Sequence, residues 1–345
     1  MKPPGVLDLI DHEEQPDVKP EHLPNKSRSV LNLVLLGLLY VLVARLGLFF
    51  VYQPVGVASI WPISGLALAV LLLNHRHNWF VIIPVLFIAN ICANLLGGCS
   101  LPASLGFALA NCAETPLTAS LLVSFSLAKP AWPAKFAGQP AGDQTPLVFG
   151  YVTQVLVFFG LVMLGNALTA LLGAATATLF LGATFWQSWL TWWVADGLGI
   201  VLVTPLILAW EPPFHINMAH LQNAAGSRLN LGQFVEGAVL LGLVSITSGI
   251  LFLNDLIWLS GLFVRAYLLF PLLIWGGLRF NHRFVTILLA ITSMSAIAGT
   301  LNGLGQFADP MQSPERRLLF VQLYLGVLIL TRFVFSAMFK QIHRA

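Results

Sequence analysis

Charged residues are scarce in this 345-residue chain. Asp, Glu, Lys and Arg together make up 9% of the sequence, whereas soluble globular domains carry roughly 25%. Hydrophobic residues make up 57%, and the mean hydropathy is +0.84. A water-soluble fold of this size cannot hide so much apolar surface, so the composition excludes an ordinary soluble enzyme or binding domain.

The sequence also lacks the marks of several other protein classes. Its three cysteines, Cys92, Cys99 and Cys112, form no CxxC pair and have no histidine at ligand spacing, so we interpret them as packing residues and expect no metal site and no cofactor. The net charge is +3 and the basic residues are scattered, which argues against a nucleic-acid partner. No HExxH, GxSxG, Ser/Lys or paired-aspartate motif occurs at catalytic spacing, and we therefore expect no enzyme activity.

Residues 1–29 differ from the rest of the chain in being polar, acidic and rich in proline. They lack the basic start, the short apolar core and the small-residue cleavage site of a signal peptide. We therefore predict a flexible acidic cytoplasmic tail over residues 1–29 and an integral membrane domain over residues 30–345.

Long uninterrupted apolar runs predict membrane-spanning helices. A helix needs about 20 apolar residues to cross the hydrocarbon core, and its backbone groups are then satisfied within the segment. The sequence predicts an all-α polytopic bundle of about ten helices, or of eight if the weaker pair at 232–278 merges or lies at the interface. The predicted spans are 30–51, 58–74, 79–98, 102–128, 147–171, 185–210, 232–253, 257–278, 284–303 and 316–339. We interpret the Ala/Thr/Gly-rich stretch at 173–184 as an outer connection.

The basic residues of the predicted loops indicate the orientation. Short loops rich in Lys and Arg stay in the cytoplasm. With the N-terminus inside, the outer loops receive only Arg316 and Arg317, and both termini are cytoplasmic. The inner side then receives Lys26, Arg28, Arg76, Lys129, Lys135, Arg228, Arg279, Arg283, Lys340 and Arg344.

Two carboxylates lie near the middle of predicted spans, Glu114 in the fourth and Asp196 in the sixth. Such groups cost about 2.5 to 3.5 kcal/mol each on insertion, so they need a physical reason. Asn111 precedes Glu114 by one turn, and Trp189 and Trp193 share a face with Asp196. Either these carboxyl groups only hold helices together, or they line a pocket that binds a ligand or cation or changes its protonation with the signal.

Further polar residues are candidates for the same pocket or for interhelical hydrogen bonds. We expect Asn94, together with Asn90 and Asn166, to bond to neighbouring helices, with ligand contact as the alternative. Arg45 lies in the outer half of the first span. It either extends towards a headgroup or pairs with a carboxylate, since Glu114 has no other basic partner at its depth.

The second span is short and begins Trp61-Pro62-Ile63-Ser64-Gly65. One interpretation is an ordinary helix start with Trp61 in the interfacial aromatic belt. The other is a broken helix whose N-terminus faces an outer cavity. Small residues allow close helix approach, and we expect it at Gly65, Gly197, Gly199, Gly276 and Gly277.

Several segments of the chain form a recognisable series by their order and spacing. They are Trp61-Pro62 to Gly65, Ala93-Asn94, Asn111 to Glu114, Trp192-Trp193 to Asp196-Gly197 and on to Pro205, Pro271 to Trp275, Leu278-Arg279-Phe280, Gly299-Thr300 and Gly303-Leu304-Gly305. Together they resemble the first type of membrane-associated sensor domain, over residues 30–340. That family precedes histidine kinases and diguanylate cyclases and is similar to the membrane half of bacterial sugar-phosphate sensor kinases.

The resemblance implies a multi-pass signal-input domain of the bacterial inner membrane. Such a domain perceives a small-molecule signal or a membrane state and passes it to a cytoplasmic kinase or cyclase, in two-component or cyclic-di-GMP signalling. The lipid bilayer is then the first partner, and a homodimer is one further option. The sequence departs from the family pattern because Ala345 follows the last predicted span directly, which leaves no room for an output domain.

Two other functions remain open at the level of sequence. A small-solute secondary transporter also combines a many-helix bundle with mid-membrane carboxylates and a broken helix, although no inverted repeat is evident. A scaffold that recruits a cytosolic protein through the tail or the last residues is the third option.

Overall fold

The computed structural model describes residues 26–48, 51–52, 57–74, 76–127, 151–210, 231–254 and 266–342. Ten α-helices lie within these ranges, and one antiparallel ladder pairs Val51–Tyr52 with Val57–Ala58. Most of the predicted tail lies outside the described residues. The helices are α1 Lys26–Leu48, α2 Pro62–Leu73, α3 Arg76–Leu96, α4 Leu101–Leu127, α5 Val152–Leu181, α6 Phe185–Trp210, α7 Leu231–Phe252, α8 Leu269–Arg279, α9 His282–Leu301 and α10 Pro314–Ile342.

Seven of the described helices are long and apolar enough to cross a membrane, which confirms the expectation of a polytopic helical protein. Two shorter apolar helices are α2 and the segment Ala266–Arg279 that contains α8. The prediction of ten crossings stays a prediction. The seven candidate spans are Val30–Gly47, Arg76–Leu96, Val152–Leu181, Phe185–Trp210, Leu231–Phe252, Arg283–Leu301 and Arg316–Phe339.

Large apolar side chains cover the outside of the bundle. The side chain of Phe80 is 83% exposed, and those of Leu38 and Leu42 on α1 are 61% and 57% exposed. Soluble proteins rarely expose contiguous apolar surface on this scale. Lipid tails are as apolar as leucine, so this surface is suited to hydrocarbon rather than to water.

Helix α2 lies at the centre of the first six helices. Eight of its twelve residues are buried, Ile63–Ala69 and Leu71, and it packs against α4 and α6. A helix that is apolar on all sides has no face for water and belongs in the interior. The Thr204 hydroxyl of α6 donates to the Gly65 carbonyl of α2 at 2.9 Å.

Helix α10 joins this half of the molecule to the second. It contacts α5 and α6 on one side and α8 and α9 on the other, while α7 packs against α8 and α9. Buried Gln322 of α10 donates through Nε2 to the carbonyl of Ser59 at 2.9 Å, just before the start of α2. The last helix is therefore bonded directly to the loop that positions α2.

The predicted outer connection at 173–184 is wrong for most of its length. Helix α5 continues to Leu181 and ends at Gly182, which has a φ of 68°. Alanine is the best helix former, and the Thr176 and Thr178 hydroxyls donate to carbonyls one turn back at 2.9 Å. The Ala/Thr/Gly-rich composition therefore did not mark a loop here, because the small side chains still favour a helix.

Close helix approach is confirmed at four of the five predicted glycines. A Cβ on Gly65 would overlap the Gly199 carbonyl, and one on Gly199 would overlap the Trp61 carbonyl. Gly197 lies against Met163 and Asn166, and Gly276 lies against Leu288. The prediction is wrong at Gly277, where a Cβ would meet nothing within 4 Å, because no other described segment approaches this side of α8.

The start of α9 provides a test of local stability. The Asn281 side chain accepts a hydrogen bond from the Phe284 N–H at 3.0 Å and caps the helix. We expect Asn281→Ala to lower the free energy of unfolding by about 1 kcal/mol, since one N–H loses its partner. Thermal unfolding in detergent measures this, and Asn281→Asp should keep wild-type stability. Equal losses in both variants would contradict the capping role.

Candidate functional site

The two predicted mid-membrane carboxyl groups lie close together inside the bundle. Glu114 is 2% exposed and Asp196 is 5% exposed, and their carboxyl groups are close enough to interact electrostatically. Glu114 Oε2 accepts a hydrogen bond from the Ser64 hydroxyl at 3.0 Å. Ser64 of α2 thus contacts Glu114 of α4, and Asp196 of α6 lies within electrostatic range of Glu114. A ligand pocket at this place stays a prediction.

The start of α2 lies beside Asp196. The backbone N–H of Trp61 donates to the Ala195 carbonyl at 3.1 Å, and its indole ring packs against Gly47 of α1. The indole Nε1 is buried and has no hydrogen-bond partner in the described structure. Helix α2 therefore begins at Pro62 within the bundle, next to the carboxyl groups.

Four buried oxygen atoms around these carboxyl groups have no hydrogen-bond partner in the described structure. They are Glu114 Oε1, Asn111 Oδ1, Thr118 Oγ1 and Asn166 Oδ1, on residues that are 0 to 6% exposed. Nearly all buried polar atoms in proteins are paired, so a group of exceptions needs an explanation. All four atoms can accept a hydrogen bond or contact a cation.

Helix contacts place the residues that carry these oxygens on packed faces of α4, α5 and α6. Asn111, Glu114 and Thr118 succeed one another by one turn along α4. The Thr118 hydroxyl lies against Gly165 of α5, and the next residue, Asn166, lies against Gly197 of α6. We call Ser64, Asn111, Glu114, Thr118, Asn166 and Asp196 the carboxyl cluster.

A chain of hydrogen bonds from α3 and α1 reaches the neighbourhood of the carboxyl cluster. Asn94 Nδ2 donates to Asn90 Oδ1 at 2.7 Å, and Asn90 Nδ2 donates to the Tyr40 hydroxyl at 2.6 Å. Tyr40 is buried and interacts electrostatically with Glu114 and Asp196. The expected bond to a neighbouring helix is confirmed for Asn90, whereas Asn94 bonds within its own helix.

Trp193 anchors α6 on α5. Its ring stacks on that of Trp189 with centroids 5.1 Å apart, as their predicted common face requires. Its indole N–H donates to the Met163 carbonyl at 2.9 Å, and its own carbonyl accepts from Asn166 Nδ2 at 2.6 Å. Trp193 thus positions Asp196 one turn away, and the interhelical bond predicted for Asn166 is confirmed.

The suggested pairing of Arg45 with a carboxylate is not made. Arg45 is exposed, and its Nη1 donates to the Leu96 carbonyl at 3.0 Å. Its position near the exposed end of α1 keeps the guanidinium away from buried Glu114. Within the described ranges the one salt bridge joins Arg279 to Glu236 at 2.9 Å.

Sequence reasoning missed three residues of this region. Thr118 could have been found, since it lies one turn after Glu114 on the same face as Asn111. Ser64 was visible only as part of the motif that begins α2, because its partner lies 50 residues away. Tyr40 carried no signal at all, since its contact to Asn90 also spans 50 residues.

The donor set of the carboxyl cluster is oxygen alone. Within the described residues, no three His, Cys, Asp or Glu side chains come together as metal ligands. Two carboxyl groups, two hydroxyls and two amide oxygens are the available groups. This set suits protons, hydrogen-bond donors and hard cations rather than soft metal ions.

The Tyr40 hydroxyl provides a test of the hydrogen-bond chain. We expect Tyr40→Phe to lower the free energy of unfolding by about 1 to 2 kcal/mol, because it leaves the buried Asn90 amide without its acceptor. Thermal unfolding in detergent measures the change. Tyr151→Phe is the matched control, since Tyr151 is 44% exposed, and it should cost almost nothing. A Tyr40→Phe variant as stable as wild type would contradict the contact.

Comparison with known proteins adds one match. The model of the family MASE1, membrane-associated sensor domain 1, matches residues 32–343. No curated protein and no solved structure matches the chain. The matched range contains α2 to α10, most of α1 and every member of the carboxyl cluster.

Proposed function

The chain belongs to the membrane-associated sensor domain 1 family, and on this premise we propose that it perceives a signal at the carboxyl cluster and transmits it to a cytoplasmic output. The observation that supports this most is the meeting of Glu114 and Asp196, on different helices, with unpartnered buried oxygens around them. Ionisable groups inside membranes are costly and mark functional sites by default. Uncharged polar residues such as Ser, Thr and Asn can hold helices together at a lower free-energy cost of insertion. That role alone therefore does not require two carboxyl groups.

Helix α10 is the proposed output element. A ligand shifts a protein between two arrangements only if it binds one of them better. Movement of the start of α2 would reach Ser59 and, through its hydrogen bond, Gln322 of α10. Because α10 continues to Ile342, a shift at Gln322 would be carried to the opposite end of the helix.

The topology belongs to the proposal as well. We propose ten crossings of a bacterial inner membrane, with both termini in the cytoplasm, a flexible acidic tail over residues 1–29 and short α2 and α8 packed within the bundle. The ten-to-two distribution of basic residues supports this orientation. Cytoplasmic and periplasmic reporter fusions at the two ends test it, and reporters active on opposite faces would overturn it.

The transmission step can be tested with a fused output. With a diguanylate cyclase catalytic domain joined after Ala345, we expect Gln322→Leu to change cyclic-di-GMP production at least about fivefold, since couplings of 1 to 3 kcal/mol correspond to roughly 5- to 150-fold. Gln187→Leu is the matched control, because Gln187 is exposed at the start of α6. Equal output from wild type and both variants would contradict transmission through α10.

A secondary transporter is the second candidate function. The start of a short helix beside a mid-membrane carboxyl group is the arrangement that such transporters use for substrate binding. Uptake by proteoliposomes separates the two functions, because a sensor should move no solute. Uptake that is lost in Glu114→Gln would replace the sensor proposal with the transporter.

A further inference from the structure

We infer that the carboxyl cluster binds one small monovalent cation of the Na⁺ class, held by Glu114, Asp196 and the unpartnered oxygens around them. This inference rests on the proposed function, because it takes the same cluster as the sensing site and names its ligand. The atoms that point to it are acceptors: Glu114 Oε1, Asn111 Oδ1, Thr118 Oγ1 and Asn166 Oδ1 are buried without hydrogen-bond partners in the described structure.

Within the part of the chain that the structure describes, no salt bridge reaches either carboxyl group. Glu114 accepts a hydrogen bond from the Ser64 hydroxyl of α2. The carboxyl groups lie within electrostatic range of each other and of the buried phenol of Tyr40 on α1, and Cys112 of α4 lies near the same phenol. None of these groups is basic.

The other helices packed here contribute an amide and a guanidinium. Helix α5 contributes Asn166, an amide. On α10, which packs against α5 and α6, the buried guanidinium of Arg332 lies 4.4 Å from the centre of the Phe333 ring. An ionised carboxylate in apolar surroundings is very costly unless a positive charge accompanies it. Each carboxyl group of the cluster therefore either keeps its proton or faces a cation.

The packing selects a small ligand. Backbones of α2 and α6 touch at Gly65 and Gly199, and the Thr118 hydroxyl of α4 lies against Gly165 of α5. An organic cation would have to separate these helices, whereas a bare ion needs only its oxygen ligands. Pro116 has no N–H, so the Cys112 carbonyl of the same helix lacks its helical donor and adds a further backbone oxygen to this turn.

The ligand set selects a hard monovalent cation. Oxygen donors suit hard ions, whereas imidazole and thiolate select transition metals. Ca²⁺ takes six to eight oxygens and Mg²⁺ keeps several waters, both of which are unfavourable between tightly packed helices.

Direct binding of Na⁺ to the wild-type protein is the first measurement. The purified full chain in detergent is equilibrated with radioactive Na⁺ and separated from the free ion, and unlabelled NaCl or choline chloride is added as competitor at the same ionic strength. We expect about one Na⁺ bound per chain, displaced by NaCl and not by choline chloride. The absence of saturable binding, or equal displacement by both salts, would overturn the inference.

Thermal stability measures the binding itself. At a Na⁺ concentration about one hundredfold above Kd, we expect Tm to rise by about 5 °C over choline. Stabilisation by MgCl₂ and not by NaCl would overturn the choice of a monovalent ion.

Variants locate the effect. Glu114→Gln and Asp196→Asn should each lose both the saturable Na⁺ binding and the Na⁺-dependent rise in Tm. Glu236→Gln is the matched control, because Glu236 pairs with Arg279 at the surface, and it should retain both. Where a carboxyl variant does not fold, Thr118→Val should weaken Na⁺ binding by about three- to tenfold as a neutral ligand is lost.

The outcome also separates this inference from the proposed function. If Na⁺ has no effect on the wild-type protein while Gln322→Leu still changes the output of the cyclase fusion, the cation is wrong and the sensor remains. If Na⁺ binds but no variant changes the output, the cation site remains and the sensor role is wrong.

Discussion

Glu114→Gln and Asp196→Asn are expected to shift the output of the cyclase fusion in the same direction, each by at least about fivefold. Gln and Asn are neutral and nearly isosteric, so both variants fix one member of the carboxyl pair in an uncharged form. The sensor proposal takes two arrangements of the bundle that stabilise this charge to different extents. Removal of the charge therefore changes their relative populations. Coupling free energies of 1 to 3 kcal/mol give roughly 5- to 150-fold changes.

The double variant sharpens this prediction. Because the two carboxyl groups interact electrostatically, removal of the second charge should add much less than the first, whereas independent sites would give additive free energies. Cyclic-di-GMP in cells and the amount of inserted fusion are measured together. Glu236→Gln should leave the output within about twofold of wild type, since an exposed ion pair contributes little.

Two results would contradict the role of the carboxyl cluster. One is wild-type output from both single variants when both are well inserted. The other is a pair of shifts in opposite directions that add in the double variant, because this would mean that Glu114 and Asp196 act at separate places.

Gly199→Ala is expected to destabilise the folded bundle by at least about 3 kcal/mol. Its Cβ would overlap the Trp61 carbonyl, and backbone cannot move aside as a flexible side chain can. The variant must therefore push α2 away from α6, which also strains the Trp61 to Ala195 hydrogen bond. Thermal unfolding of the purified protein in detergent measures the loss, together with the yield of inserted protein.

Gly242→Ala is the matched control for this substitution. Gly242 lies within α7, and a Cβ there would meet nothing within 4 Å. Since alanine is favoured over glycine inside a helix by about 1 kcal/mol, this variant should be as stable as wild type or slightly more stable. If Gly199→Ala behaved like Gly242→Ala, α2 and α6 would not be in contact.

Pattern reasoning succeeded where a short stretch of chain decides the structure. The sixth predicted span, 185–210, matches α6 residue for residue, and Trp189 and Trp193 lie on one face because helix geometry fixes their spacing. It failed at 173–184, where an Ala/Thr/Gly-rich composition indicated a loop although alanine and threonine continue α5. For Arg45 it left two alternatives open, since a depth along the first span does not say which way the side chain leaves the helix.

The carboxyl cluster was predictable in part. Glu114 and Asp196 were identifiable because a charged residue inside an apolar run is costly wherever the run folds. Asn111 and Thr118 share a face with Glu114 by helical spacing alone. That Glu114 meets Ser64, that Asp196 lies beside the start of α2 and that Asn166 reaches Trp193 depend on which helices are neighbours.

Composition and run length are enough to assign this chain to the membrane, because the cost of placing each residue in hydrocarbon adds up along the sequence without regard to its neighbours in space. The same additive property marks the two carboxylates as expensive. Their meeting, the absence of a basic partner in the described structure and the bond from Gln322 to Ser59 arise from contacts between segments far apart in sequence. Such contacts depend on how small residues pack between helices. The local sequence of a single segment does not determine this packing.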